Sequence, residues 1–170
     1  ELLDDVLTLG RAEVGKLEFN PIELELEAFC RQLVAEMQLT AKEAHAIALV
    51  SPGKRFTAKV DKKLLQQILT NLLSNAIKYS PQGGDITLEL TCQKNEAIFR
   101  VKDEGIGIPP KDLQRLFESF HRASNVGGIP GTGLGLAVVK QAVELHQGAI
   151  AVESEEEVGT TFTVTLPMDR

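Results

Sequence analysis

The sequence predicts an α+β fold in which helices cover one face of a mixed, mainly antiparallel sheet. Three observations carry this. Residues 86–90 and 97–101 alternate apolar and polar side chains about Lys94, Asn95 and Glu96, as an antiparallel hairpin does. Leu65, Ile68, Leu69, Leu72, Leu73 and Ala76 recur at helical spacing and make one apolar stripe. Helical and strand-like segments interleave along the chain with no internal repeat, and 170 residues suffice for one packed domain with a short appendage.

In chain order, residues 1–11 read as a helix through Leu2, Leu3, Val6, Leu7 and Leu9, frayed by Gly10 and Gly15. It has no N-cap signal and the chain does not begin with Met, so it is expected to be the end of a longer helix in a larger parent. Residues 16–20 alternate as a short strand before Pro21. Leu26, Phe29, Cys30, Leu33, Val34 and Met37 trace one face of a helix over 22–41. Residues 46–50 and 56–60 form two short strands about a turn at Ser51, Pro52, Gly53 and Lys54. Asp61 is placed to cap a helix running to about Tyr79, which residues 81–84 terminate. A short helix follows Pro109 and Pro110, with Leu113, Leu116 and Phe117 on one face. Residues 121–132 show no periodicity, as expected of a lid or binding loop. A helix over 134–146 and strands over 148–153 and 161–166 complete the chain.

Composition narrows the function. A net charge of −6, no Trp and 5% aromatics argue against nucleic acid as a partner and against contact with an anionic membrane surface. Cys30 and Cys92 stand without a CxxC or a nearby His and read as small core residues in a reducing, cytoplasmic compartment. His45, His121 and His146 have no metal-ligand spacing and read as structural or exposed.

The chemistry concentrates elsewhere. Seven of the fourteen glycines fall within 103–136, in two Gly-x-Gly steps on either side of the aperiodic loop. Such steps let a backbone approach a ligand closely, and the second opens directly into a helix, where free N–H groups attract anions. Asp103 ends a strand beside Gly105, Gly107 and Ile108, where a carboxylate can accept a hydrogen bond from a base or simply open an Asx turn. Asn71, Asn75 and Lys78 share one side of their helix. That set suits Mg²⁺ and phosphate, and equally a solvated polar edge. Gly131, Gly133 and Gly135 do not make a dinucleotide fingerprint, because a loop rather than a strand precedes them. Nor do they make a P-loop, since Leu136 stands where its Lys would be. Phe117 fits the apolar face of its helix, whereas Phe120 is expected to anchor the loop, and Arg122 lies within reach of a phosphate.

In this order and spacing the pieces resemble the catalytic and ATP-binding domain of bacterial sensor histidine kinases, within the wider gyrase, chaperone, kinase and mismatch-repair group of ATPases. The family's N box resembles Asn71 to Tyr79, its G1 box Asp103 to Gly107 and its F box Phe117 to Phe120. Its G2 box resembles Gly131 to Leu136, and a final box resembles Gly159 to Phe162. The resemblance implies a two-layer α/β sandwich of the Bergerat type on about three helices. Residues 20–170 would be the catalytic domain, with an ATP lid at about 108–132, and residues 1–19 the end of the dimerisation and phosphoacceptor helix with its linker.

Residue by residue, the resemblance implies Asn75 as the Mg²⁺ ligand, Asn71 in the same phosphate-side cluster, and Lys78 and Arg122 facing the phosphates of ATP. Asn71, Lys78 and Arg122 would then carry the catalytic roles. Tyr79 would border the adenosine and Asp103 take the adenine amino group, with Gly105 and Gly107 allowing close approach beside Ile108. Phe120, Thr132, Leu134 and Leu136 would complete the pocket, Gly131, Gly133 and Gly135 the lid's return, and Thr160 or Thr161 the support of the base.

ATP-hydrolysing members of the group place a Glu one turn before the metal Asn. Here the slot is Asn71, an amide that takes no proton at neutral pH. That favours transfer to a histidine over hydrolysis. The acceptor motif occurs at none of the three histidines, so the acceptor is expected on a helical domain upstream, in a dimeric parent that serves a response regulator. The chain alone is expected not to label itself. The alternative is a stand-alone serine kinase of the anti-sigma-factor type, disfavoured by the helix at 2–11 and the full helix after the second glycine step.

Overall fold

A computed structural model describes residues 2–13, 15, 17–41 and 43–168. Five strands form the main sheet: β2 (His45–Val50), β4 (Gly84–Gln93), β5 (Glu96–Asp103), β6 (Ala149–Glu155) and β7 (Gly159–Pro167). Their order is β2-β4-β5-β7-β6, antiparallel throughout except for the parallel pair β2 and β4. One face is covered by α2 (Leu26–Thr40), α3 (Lys62–Lys78) and α5 (Gly135–Leu145). This is the expected two-layer arrangement.

The core lies between the layers. Ile86, Leu88 and Leu90 of β4, Phe99 and Val101 of β5, and Val164 and Leu166 of β7 meet the buried stripe of α3 and the Val139, Ala142 and Val143 face of α5. Cys30 joins them from α2, its thiol pushed up to about 12 by burial, with Glu25 and Glu27 adding to the effect. The expected hairpin turns through Lys94 (φ 50°) and Asn95 (φ 63°), the left-handed pair that a two-residue hairpin loop needs.

α3 carries the site and is fixed at both ends. Asp61 caps it, accepting from the N–H of Leu64 at 3.0 Å, while its other carboxylate oxygen accepts from the N–H of Asn20 at 2.8 Å. The N–H of Asp61 donates to His146 Nε2 at 3.1 Å, and the other ring nitrogen of His146 bonds the carbonyl of Ala142 at 2.8 Å. His146 therefore ties the start of α3 to the end of α5. At the far end of α3, His45 Nε2 bonds the carbonyl of Ser80 at 2.8 Å. Both histidines are buried.

Four local expectations need correcting. Of residues 16–20, Lys16 lies outside the described residues, and Leu17 to Asn20 form no strand. Their alternation reflects half-buried Leu17 and Phe19, the latter edge-on to His146 at 4.8 Å. The strand β1 comes after Pro21, at Ile22–Glu25, and α2 starts only at Leu26 because Glu25 caps it, accepting from the N–H groups of Glu27 and Ala28. The segments 46–50 and 56–60 do not pair with each other. β2 lies parallel to β4, whereas β3 (Thr57–Val60) pairs with β1 in a separate two-stranded sheet. A parallel pair needs a crossover, and α3 supplies it. Finally α1 (Leu2–Glu13) runs unbroken through Gly10, where fraying was expected, and two residues past the expected end at Arg11. It packs on α5 and leaves Leu2, Leu3, Val6 and Leu7 about half exposed or more. Glu1 lies outside the described residues. No helix among them is long and apolar enough to cross a membrane.

Candidate functional site

A cavity of about 930 Å³, solvent at its mouth included, opens between α3, the end of β5 and the loop before α5. Asn71, Ser74, Asn75 and Lys78 reach it from α3, at i, i+3, i+4 and i+7. Tyr79 follows at the helix end. Asn71 Nδ2 donates to the carbonyl of Gly135 at 3.4 Å, tying α3 to the first residue of α5 and leaving its Oδ1 as the free acceptor.

Asp103 is the last residue of β5, paired with Thr160 of β7 and only 8% exposed. Burial pushes its carboxyl up to about 6, against the backbone N–H groups of Gly105 (2.9 Å) and Thr160, which pull it down. An acid so tuned, in a cleft, is a candidate for the functional site. The turn after it is packed against protein. A Cβ on Gly105 would stand 2.1 Å from the Tyr79 carbonyl, which Ile106 N–H bonds at 2.9 Å. Gly107 has φ +69°, and a Cβ there would stand 2.1 Å from the carbonyl of Glu155. Ile108 N–H donates to Ser154 Oγ at 2.8 Å, and that hydroxyl lies 2.8 Å from Thr160 Oγ1.

The lid is closed at its base by backbone. Phe120 N–H donates to the carbonyl of Gly133 at 2.8 Å, with φ +66° at Phe120 and +74° at Gly133. Arg122 reaches into the cavity and bonds the carbonyl of Ile129 through Nη2, while its buried Nε has no partner among the described residues. Gly131 sits where a Cβ would come within 3.4 Å of Arg122 Nε and 3.2 Å of the Tyr79 hydroxyl. Thr132, Gly133, Gly135 and Leu136 continue the wall, and Thr132 Oγ1 accepts from Leu134 N–H at 3.2 Å at the start of α5.

Four of the residues singled out from sequence stand outside this wall. Gly105 serves the contact with Tyr79 just described. Leu134 is 1% exposed and belongs to the core. The Phe120 ring is 68% exposed, so its backbone rather than its side chain anchors the lid. Thr160 and Thr161 point to opposite faces of β7, and only Thr160 lines the cavity. Sequence reasoning also missed several lining residues. Ser74 lies on the same helical face as Asn71, and Phe162 shares the face of Thr160, so both were open to inference from periodicity. His121, read as structural or exposed, lines the cavity with its Nε2 3.3 Å from Asp112 Oδ1. Asp5 reaches the cavity from α1 and is 8% exposed, a contact that no local pattern signals.

Residues 60–170 match the family described as histidine kinase-, DNA gyrase B- and HSP90-like ATPase. The chain is 36% identical over 98% of its length to the sensor histidine kinase WalK of Bacillus subtilis, covering 28% of that protein. It is 37% identical over 98% of its length to the circadian input-output histidine kinase CikA of Thermosynechococcus vestitus, covering 24% of it. Among solved structures, full-length ShkA in complex with AMPPNP superposes with a TM-score of 0.85 at 29% identity, over 98% of this chain and 35% of ShkA. The chain thus spans about a quarter of the curated relatives' length.

Proposed function

The chain belongs to the histidine kinase-, DNA gyrase B- and HSP90-like ATPase family, and on that footing we propose that it binds Mg-ATP in this cavity and presents the γ-phosphate to a histidine on a separate helical domain. The carrying observation is convergence. Asn75 and Lys78 of α3, Asp103 at the end of β5, and Arg122 of the lid are far apart in sequence and line one cleft.

Each side chain has a role its chemistry allows. Asp103, ionised, accepts a hydrogen bond from the exocyclic amino group of adenine, and Thr160 backs it. Tyr79 and Ile108 border the nucleoside. Lys78 and Arg122 offset phosphate charge, and the partnerless Arg122 Nε offers a further buried donor. The amide oxygens of Asn71 and Asn75 are hard donors that fit Mg²⁺, and Asn75 would hold it. When bound, the ion neutralises charge on the phosphates. α3 offers no carboxylate to the cavity, so it presents no base to activate water. Positioning and charge neutralisation are what phosphoryl transfer to an imidazole requires. Of the chain's own histidines, His45 and His146 are buried, hydrogen-bonded and away from the cavity, while His121 lines it with its Nε2 3.3 Å from Asp112 and lacks the family's acceptor motif.

Calorimetric titration with a non-hydrolysable ATP analogue and Mg²⁺ tests the reading. Wild type should bind, whereas Asn75→Asp and Asp103→Ala should lose binding and keep a native circular dichroism spectrum. Unchanged affinity in both variants overturns it.

A further inference from the structure

We propose that Asp112, Ser124 and Asn125, none of which lies in a motif singled out above, form a clamp that holds the lid over the turn at 106–107 and sets the rate at which nucleotide enters and leaves. The inference rests on the nucleotide reading of the cavity.

The three residues make the polar contacts that fix the middle of the loop. Asn125 Nδ2 donates to the carbonyl of Gly107 at 2.9 Å and also lies 3.5 Å from that of Ile106. Asp112, on α4 (Pro110–Leu113), is 6% exposed and accepts at Oδ2 from both the N–H and the hydroxyl of Ser124, each at 3.0 Å. Those bonds, the N–H first, hold its carboxyl below the usual carboxylate range. Its Oδ1 lies 3.3 Å from His121 Nε2. Neighbours of the clamp, Ala123 and Val126, form part of the cavity wall together with His121 and Arg122. The clamp therefore decides where the lid's cavity-lining side chains sit, while its own three residues are not part of that wall.

Its anchor points matter as much as its members. Asn125 grips the turn that follows Asp103, itself pinned by Glu157 N–H to the carbonyl of Ile106 at 2.8 Å. The lid is thus fastened to the element that reads the base, and an ordered anchor makes closure a defined state. Each neutral hydrogen bond is worth about 1 kcal/mol net, which is about a five-fold change in the closed-to-open ratio. A ligand that enters only the open lid arrives in proportion to the open fraction. Weakening the clamp should then raise association and dissociation together, with a small change in Kd. Loss of a direct ligand contact would raise dissociation alone.

Stopped-flow mixing of the full chain with the fluorescent N-methylanthraniloyl derivative of ATP and Mg²⁺ tests this. Asn125→Ala should raise both rate constants about five-fold, and Ser124→Ala, which removes a bond to a carboxylate, about ten-fold or more, each leaving Kd within about two-fold. Asn125→Asp, which turns an acceptor toward the Gly107 carbonyl, should act at least as strongly as Asn125→Ala. Thermal unfolding of each variant confirms a native fold. Rates equal to wild type in both alanine variants, or a rise in dissociation alone, would overturn the clamp while the calorimetric result on Asp103→Ala still upholds the nucleotide site. Absence of any signal with wild type would instead overturn the nucleotide reading itself.

Discussion

Asp103 is held buried at a cost to stability, and its proposed role in binding is tied to that cost. Its carboxyl is raised from 3.8 to about 6, chiefly by burial. Between those values the folded chain holds a proton that the unfolded chain has released. Stability from this group is therefore greatest at low pH and declines as pH rises through that window, by about 3 kcal/mol at about 1.4 kcal/mol per unit. Asp103→Asn, which cannot ionise, should stabilise the ligand-free chain by about 1–3 kcal/mol at pH 7 and have little effect at pH 4, as read by urea unfolding at both values. Equal destabilisation at the two pH values would refute this. If the ionised form accepts from adenine, affinity for an ATP analogue should fall by about tenfold per unit below pH 6. The variant should bind weakly at every pH. Of the residues singled out from sequence, Asn71, Asn75, Lys78 and Asp103 line the cavity; helical spacing and a strand's end brought them into view.

At the scale of the element, α3 carries Asn71, Ser74, Asn75 and Lys78 to the cavity. Its orientation depends on Asp61, which is 6% exposed and accepts from the N–H of Leu64 and the N–H of Asn20. Asp61→Ala removes the cap and the bond from the Asn20 N–H, so it should cost about 1–2 kcal/mol in chemical unfolding. Asp61→Asn should recover part of that loss. Glu25 plays the same part for α2, and it was missed for a physical reason. Glu is a less usual cap than Asp or Ser, and Ile22 and Leu24 fit a helical face as readily as a strand's alternation. The lid shows the opposite case. Its lack of periodicity was plain in the sequence, yet the bonds of Asp112, Ser124 and Asn125 link residues 12 and 18 positions apart across a turn. Spacing rules do not reach that far.

For the whole molecule, the sheet places the Asp103 end of β5 beside the Asn71, Asn75 and Lys78 face of α3, and β7 lies between β5 and β6. The family's acceptor motif stands at none of the three histidines, and the one at the cavity wall, His121, lies with its Nε2 3.3 Å from Asp112 Oδ1. Incubated alone with radiolabelled ATP and Mg²⁺, the chain should remain unlabelled. Added to a helical domain of a sensor histidine kinase that carries the acceptor histidine, it should transfer label in an acid-labile, base-stable form. Label that survives acid would point to a serine or threonine acceptor and overturn the histidine assignment. α1 contributes at this scale as well. It packs on α5 and sends Asp5 into the cavity while Leu2, Leu3 and Leu7 face outward, so this helix takes part in the cavity wall.

The sequence by itself determined which segments become strands and helices wherever burial imposes a period. The stripe of α3, the hairpin of β4 and β5, the final strand pair and the helix after Gly133 all follow from local alternation. It also determined the chemistry available, because residue types and their order along the chain are local facts. Only the tertiary structure decided that β2 pairs with β4 rather than with β3, that Thr160 and not Thr161 faces the cavity, and that Asp5 and His121 belong to its wall. It alone showed that Phe120 holds the lid through its backbone. Each of these rests on contacts between residues distant in the chain, whose energies depend on how the layers pack, and no window of sequence contains both partners.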